Sequence, residues 1–327
     1  MNEIIVRIDR YFKYPDIMQQ TSSSEGIWGN IKFTEEKIPV CDYLVILDYP
    51  GEDIIVNVNP DNIIHICLEP PNAMSGYRQY ANKKVSQIIN QIYTGRKSVQ
   101  AHGALPWHIN KSYDFLTRLN ANDLIKYNKI GWITSNQRST RGHIKRMQFL
   151  ENIKDIDEVD IRGRGFKPIT DKWELLSACK YGIAYENYNS PYYWTEKIVD
   201  CYLSYAMPVY IGSKSISNFF PPESYIQINP ESDDIIDQIK EIIASAKWDK
   251  NMEAISYARN LILNKYQLFP FLSHLIENEQ SKNGVLKKNI KTNVSIKGGD
   301  LYFDNYPLHY RLKKVFERLN RKLRNRL

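Results

Sequence analysis

The chain has 327 residues, 43% of them hydrophobic and 25% charged, and a formal net charge of +7. That size suits two domains, each with its own core, and the composition is that of a globular protein rather than a disordered or fibrous one. The charge is local: residues 307–327 hold eight Lys or Arg and one Glu, a balance of 8 − 1 = +7, which leaves a neutral body of 36 basic and 36 acidic residues and argues against a nucleic-acid-binding surface there.

The N-terminus enters an apolar run, Ile4 to Ile8, without the basic, apolar and small-residue progression of a secretory signal. No apolar run approaches membrane-spanning length. Cys41, Cys67, Cys179 and Cys201 lie far apart, with no CxxC pair and no zinc spacing. They are expected to be reduced, packed thiols, and a cytoplasmic location is the matching expectation. The 23 tyrosines suit polar, stackable surfaces such as sugars use, although Tyr also packs in cores.

In chain order, short apolar runs predict strands at Ile4 to Ile8, Tyr43 to Leu47 and Ile63 to Leu68. Helices are predicted at Ala81 to Gln91 and Tyr113 to Lys126. The second half alternates more clearly. A strand at Lys129 to Thr134 is followed by a helix at Gly142 to Asn152, a strand ending in Asp160 to Gly165, and a helix at Asp171 to Cys179. Then come strand 182–185, helix 196–206, strands Pro208 to Ile211 and Tyr225 to Ile228, and helices Asp233 to Ala246 and Met252 to Asn264. Ile235, Ile236, Ile239, Ile242 and Ile243 would share the apolar face of the first of those last two helices. Strands separated by single helices predict parallel βαβ units. Glu279 to Gly299 reads as a linker. Leu308, Leu312, Val315, Phe316, Leu319 and Leu323 then recur at helical spacing among basic residues, predicting a basic amphipathic helix.

No GxGxxG or Walker loop is present, which argues against a dinucleotide oxidoreductase or a P-loop enzyme. Two α/β halves without those loops fit a two-domain sugar-nucleotide transferase. Residues 181–197 are the richest stretch: an apolar strand runs into Glu186-Asn187, an aromatic loop follows, and Thr195-Glu196-Lys197 opens a helix. In an α/β fold that junction binds anions. Lys197 in the first turn adds to the positive helix end, whereas a purely structural lysine sits more often in the last turn. Glu196 either answers the helix dipole or accepts ribose hydroxyls, and Tyr193 either packs in its loop or orients a phosphate. Glu69, after Ile66-Cys67-Leu68, is a strand-end carboxylate whose apolar neighbours would raise its pKa toward that of a general base. A solvated strand-end glutamate is the plainer reading of the same residue. His65 reads as a packed strand residue. Asp42, Asp48 and Asp53 lack ligand spacing, so no metal site is expected.

The same stretch resembles the donor-binding motif of the α-1,3/4-fucosyltransferases, glycosyltransferase family 10. The resemblance is carried by Tyr185-Glu186-Asn187-Tyr188, Tyr193-Trp194-Thr195-Glu196-Lys197, Pro208-Val209-Tyr210-Ile211-Gly212 and Phe219-Phe220-Pro221-Pro222-Glu223-Ser224-Tyr225-Ile226. Upstream, Trp132-Ile133-Thr134-Ser135-Asn136, Asp160-Ile161-Arg162-Gly163-Arg164 and Ile66-Cys67-Leu68-Glu69-Pro70 are similar to further family segments. His102 to Trp107 is similar more loosely.

The resemblance implies two Rossmann-like domains facing across a cleft (the GT-B type), with a C-terminal basic amphipathic helix. An acceptor-side domain is expected at 1–125, a donor domain at 126–278, and a linker with the basic tail at 279–327. It implies an inverting transferase that moves L-fucose from GDP-fucose to a glycan hydroxyl, with an α-1,3/4 linkage, in the synthesis of bacterial surface polysaccharide or lipopolysaccharide. Glu69 would be the catalytic base. Arg141 and Lys197 would hold the diphosphate, with Arg138 and Arg146 as alternatives to Arg141 that read singly as solvated charges. Tyr193 and Glu196 would hold ribose or phosphate, and Glu186 and Asn187 would shape the sugar pocket. No metal and no tightly bound cofactor would be needed. The tail would lie on the anionic inner face of a membrane, or pack on the body, or pair in a homo-oligomer. The readings left beside this one are a transferase for another nucleotide sugar and a catalytically silent glycan-binding protein.

Overall fold

The computed structural model describes residues 3–66, 68, 92–94, 97–99, 105–189, 193–283, 290–296, 298, 312 and 316. They fall into two compact units: Met1–Pro106 with Ser112–Asp114 and Lys265–Lys313, and Trp107–Lys111 with Phe115–Asn264 and Lys314–Leu327. The segment Lys265–Lys313 groups with the first unit.

The first unit contains β1 (Ile4–Arg10), β2 (Ile27–Trp28), β3 (Ile31–Thr34), β4 (Tyr43–Leu47), β5 (Ile54–Val58), β6 (Ile63–Ile66), and the antiparallel pair β7 (Ile92–Thr94) and β8 (Lys97–Val99). Its main sheet has the order β2-β3-β1-β4-β6. β1 runs parallel to β3 and β4, and β4 parallel to β6. Every residue of β4 is buried, as expected of a parallel strand covered on both faces. Alternate residues choose the face. Val45, Leu47, Ile64 and Ile66 pack with Leu268, Phe269, Leu272 and Ile276 of the helix Leu268–Asn283. Leu44, Ile46 and Ile63 pack with Ile54, Val56, Val58, Val294 and Ile296. Each such side chain contributes roughly 1.5–3 kcal/mol by leaving water.

Two expectations are corrected here. Glu279 to Gly299 is not a plain linker, because the helix Leu268–Asn283 enters it and Thr292–Ile296 pairs antiparallel with β5. Val294 and Ile296 alternate with polar neighbours, a strand pattern hidden by the Lys- and Asn-rich composition. The helix predicted over Tyr113 to Lys126 is only α1 (Tyr113–Arg118). Asn120 and Asp123 then stop it with a local turn, in which the Asn120 N–H donates to Asp123 Oδ2 at 2.7 Å. The helix predicted at Ala81 to Gln91 lies outside the described residues.

The second unit alternates as predicted: β9 (Tyr127–Ile133), α2 (Arg141–Ile153), β10 (Val159–Arg162), α3 (Lys172–Leu176), β11 (Cys179–Tyr185), α4 (Glu196–Leu203), β12 (Met207–Ile211), β13 (Ile226–Gln227), α5 (Ile235–Ala244), α6 (Lys247–Lys250) and α7 (Met252–Leu261). All five strands are parallel, in the order β10-β9-β11-β12-β13. α5 buries Ile235, Ile239, Ile242 and Ile243 as expected, while Ile236 is 42% exposed. Cys41, Cys179 and Cys201 are buried free thiols, and Cys67 lies outside the described residues.

The strand order has a mechanical consequence. The chain leaves β9 toward β10 on one side, then crosses to β11 on the other. In an open parallel sheet the crevice at the carboxyl ends of two such strands is where ligands bind.

Candidate functional site

The carboxyl ends of β9 and β11 deliver Thr134 to Gln137 and Glu186-Asn187 to that crevice. Two helices start beside them. Thr140 caps α2 by accepting the His143 N–H at 3.2 Å, and Thr195 caps α4 by accepting the Lys197 N–H at 3.5 Å. Gly142 lets the first turn of α2 lie against the loop after β11, since a Cβ there would stand 1.8 Å from the Asn187 carbonyl oxygen. Gly163 has φ +121, and its Cβ would stand 2.1 Å from the Thr134 carbonyl oxygen. Only glycine permits that backbone and that approach.

A compact charged bracket occupies the start of α4. The Glu186 carboxylate is fully enclosed and accepts from the Thr195 N–H at 2.8 Å and the Thr195 hydroxyl at 2.9 Å. Lys197 Nζ reaches Thr195 Oγ1 at 2.8 Å, Glu196 Oε1 at 3.3 Å and Glu186 Oε2 at 3.4 Å. Burial pushes the Glu186 carboxyl above its ordinary pKa, against the pull of Lys197. Burial also opposes charge on Lys197, but Glu186 and Glu196 outweigh it and hold the ammonium charged. For Glu196 burial is likewise outweighed, by Lys197, His108 and Lys172, and its carboxylate stays ionised.

A second ion pair supports the first. Asp200, 1% exposed, accepts from Lys172 Nζ at 2.6 Å and from the His108 N–H at 2.8 Å. It pins both α3 and the segment around His108 to α4. On the α2 side, the Arg146 guanidinium donates to Asn187 Oδ1 at 2.8 Å and to the Ser135 carbonyl at 2.9 Å. Its Nε is buried with no partner among the described residues. His143 stands near Arg146 and Lys197. Burial first, then those two cations, lower its pKa to about 4, so its ring is neutral at ordinary pH.

The predicted residues distribute as follows. Glu186, Asn187, Tyr193, Glu196 and Lys197 come together at the switch point. The Glu186 carboxylate faces Thr195 and Lys197. The Tyr193 side chain is 5% exposed, and its ring meets Tyr188 edge-on with centroids 5.5 Å apart. Arg141 is the first residue of α2 and is exposed, as is Arg138. Arg146 is 5% exposed, so its reading as a solvated charge is corrected: its position on the inner face of α2 draws it between Ser135 and Asn187. Glu69 and His102 lie outside the described residues. His65 is fully buried, with Nε2 2.5 Å from the Asp48 carbonyl oxygen, as a packed strand residue should be. Sequence reasoning missed Asp200, Lys172 and His143. Asp200 carried a signal, because a carboxylate between Val199 and Cys201 on an apolar helix demands a cation. Among the described residues no group of three or more His, Cys, Asp or Glu could hold a metal, and no helix is long and apolar enough to cross a membrane.

Residues 125–248 match the family model described as glycosyltransferase family 10 (fucosyltransferase), C-terminal part. This segment is similar to the family 10 glycosyltransferases. The matched segment contains the whole of the bracket around Lys197. The chain is 38% identical over 74 residues, 22% of its length, to the alpha-(1,3)-fucosyltransferase FucT of Helicobacter pylori, and covers 16% of that protein. It is 30% identical over 105 residues, 31% of its length, to human 3-galactosyl-N-acetylglucosaminide 4-alpha-L-fucosyltransferase FUT3, and covers 28% of it. The match thus spans under a third of either curated relative. Among solved structures, an alpha1,3-fucosyltransferase with GDP aligns at 14% identity and a TM-score of 0.46, over 82% of this chain and 92% of that one.

Proposed function

We propose that this chain is an inverting fucosyltransferase that transfers L-fucose from GDP-fucose to a glycan hydroxyl, forming an α-1,3 or α-1,4 linkage. The observation that carries the reading is the Lys197 bracket at the start of α4, set beside the start of α2 at a topological switch point inside the segment that matches the family 10 model. Two helix starts and a fixed ammonium suit a nucleoside diphosphate leaving group. Arg141, exposed at the first position of α2, adds a second cation. Glu196 accepts the ribose hydroxyls. Glu69 takes the proton from the acceptor hydroxyl as its oxygen attacks the anomeric carbon of GDP-β-L-fucose. The carbon–oxygen bond to GDP breaks on the opposite face, so the configuration inverts. The two units would face each other across a cleft in the GT-B manner. The chain would work on bacterial surface polysaccharide or lipopolysaccharide at the inner face of the membrane.

GDP should raise the melting temperature of the wild type and not that of Lys197→Met. Glu69→Gln should keep the GDP shift and lose transfer by roughly 100-fold or more. Retained turnover in Glu69→Gln removes Glu69 from the base role. A wild type blind to GDP removes the GDP-fucose reading and leaves a transferase for another nucleotide sugar or a silent glycan binder.

A further inference from the structure

The first unit has a switch point of its own. β1 lies between β3 and β4, all three parallel, so the chain winds outward from β1 in both directions. The carboxyl ends of β1 and β4 therefore flank a crevice of the kind that binds ligands. Tyr11 directly follows β1, and Asp48-Tyr49 directly follows β4. The rings of Tyr11 and Tyr49 stack, with centroids 4.0 Å apart and planes 7° apart. Phe12 meets Tyr11 edge-on at 5.3 Å, which steadies the stack. Tyr11 remains 44% exposed and Tyr14 56% exposed.

Asp48 fixes this arrangement. It is 4% exposed and holds φ +58, a left-handed conformation strained for a non-glycine residue. Its N–H donates to the Ile66 carbonyl at 2.7 Å, its carbonyl accepts from His65, and Oδ1 accepts the Leu68 N–H at 2.9 Å. The residue before Tyr49 thus also anchors Leu68. The aromatic stack follows directly on a strained residue that is held at its N–H, its carbonyl and its carboxylate. The nearby cation is already committed: Arg10 is paired with Glu35 at 2.5 Å and donates to the Pro15 carbonyl. A flat aromatic face beside a buried carboxylate, with its cation engaged, suits a neutral ring with one apolar face rather than a phosphate.

We propose that the Tyr11–Tyr49 stack is the platform on which a pyranose ring of the acceptor lies, its C–H face against the tyrosine. This rests on the transferase reading for its role, while the platform is testable alone. The experiment uses the full chain and its Tyr11→Ala, Tyr49→Ala and Tyr11→Phe variants. The probes are methyl β-galactoside, methyl β-N-acetylglucosaminide and a galactosyl-N-acetylglucosaminide, the last being the glycoside in the relatives' names. Saturation-transfer NMR reads contact with the sugar C–H protons, while GDP binding and GDP-fucose hydrolysis report the donor side.

The expected result is saturation of at least one pyranoside by wild type and Tyr11→Phe. Both alanine variants should weaken it about tenfold or more, with GDP binding unchanged. The proposal is overturned if no probe is saturated, if the alanine variants bind like wild type, or if they lose GDP binding in equal measure. Tyr11-dependent glycoside binding in a protein that ignores GDP-fucose would sink the donor reading and leave the platform standing.

Discussion

At the scale of single residues, enclosure decides which charges are structural and which are available. Glu186 has every carboxylate contact spent on Thr195 and Lys197, so its charge is a fixture of the α4 start. Glu186→Gln keeps the shape but turns one acceptor into a donor facing a hydroxyl and an ammonium. It should cost about 1–3 kcal/mol, read as a lower denaturant midpoint, with a weaker GDP shift because Lys197 loses its tether. An unchanged midpoint would mean the bracket rearranges freely. His65 makes the pH argument. Burial lowers its pKa to about 4, against about 6.5 in an unfolded chain. Between those values the unfolded state binds the proton and the folded state does not. Stability is therefore full above about pH 6.5 and falls as pH drops toward 4, by an amount on the order of 3 kcal/mol. His65→Gln, which keeps an N–H for the Asp48 carbonyl, should flatten that slope in denaturation series between pH 7 and 4.5. A slope unchanged by the substitution assigns the acid sensitivity to other groups.

At the scale of elements, the site depends on how closely α2 approaches the loop after β11. In Gly142→Ala the new methyl would meet the Asn187 carbonyl oxygen at 1.8 Å, a contact that no rotamer relieves. The start of α2 must back away, taking Arg146 from Asn187. The expected outcome is a donor KM raised about tenfold or more with a smaller change in kcat, measured on GDP-fucose hydrolysis. Equal values for both proteins would show that the approach does no work. The alternation of the second unit was legible because each strand is a short apolar run and its helices start at capping residues such as Thr195 and Asp171. The first unit was less so. β5 and Thr292–Ile296 pair across more than 200 positions, and neither run announces so distant a partner. The bracket was legible as a cluster of types, Glu186, Thr195, Glu196 and Lys197, but not as a geometry. Nothing local states that Glu186 turns back onto Thr195 rather than outward to a sugar. The Asp200–Lys172 pair was illegible for the same reason, since its members are 28 positions apart on different helices.

At the scale of the whole molecule, the charge distribution raises a question of location. A neutral body with all +7 in residues 307–327 is a poor design for general solubility and a good one for a surface of opposite charge. Leu312 and Phe316, spaced at helical period in the sequence, each have helical backbone and are 56% and 70% exposed. An exposed Leu and Phe, amid Lys and Arg in the sequence, suit burial in the headgroup boundary of an anionic leaflet, where each basic residue adds about 1 kcal/mol. The 327-residue chain should therefore co-sediment with vesicles containing phosphatidylglycerol, release as salt rises, and bind pure phosphatidylcholine weakly. A chain ending at residue 306 should stay in the supernatant while keeping its GDP-induced thermal shift. Phe316→Ser should fall between the two, because it removes apolar burial and leaves the charge. A truncated chain that still sediments would place the membrane contact elsewhere. A 327-residue chain that sediments with neither vesicle, but forms a dimer lost on truncation, would make the tail an oligomer contact. Salt separates these outcomes further, since vesicle attachment through eight cations weakens steeply with ionic strength and an apolar helix pair does not.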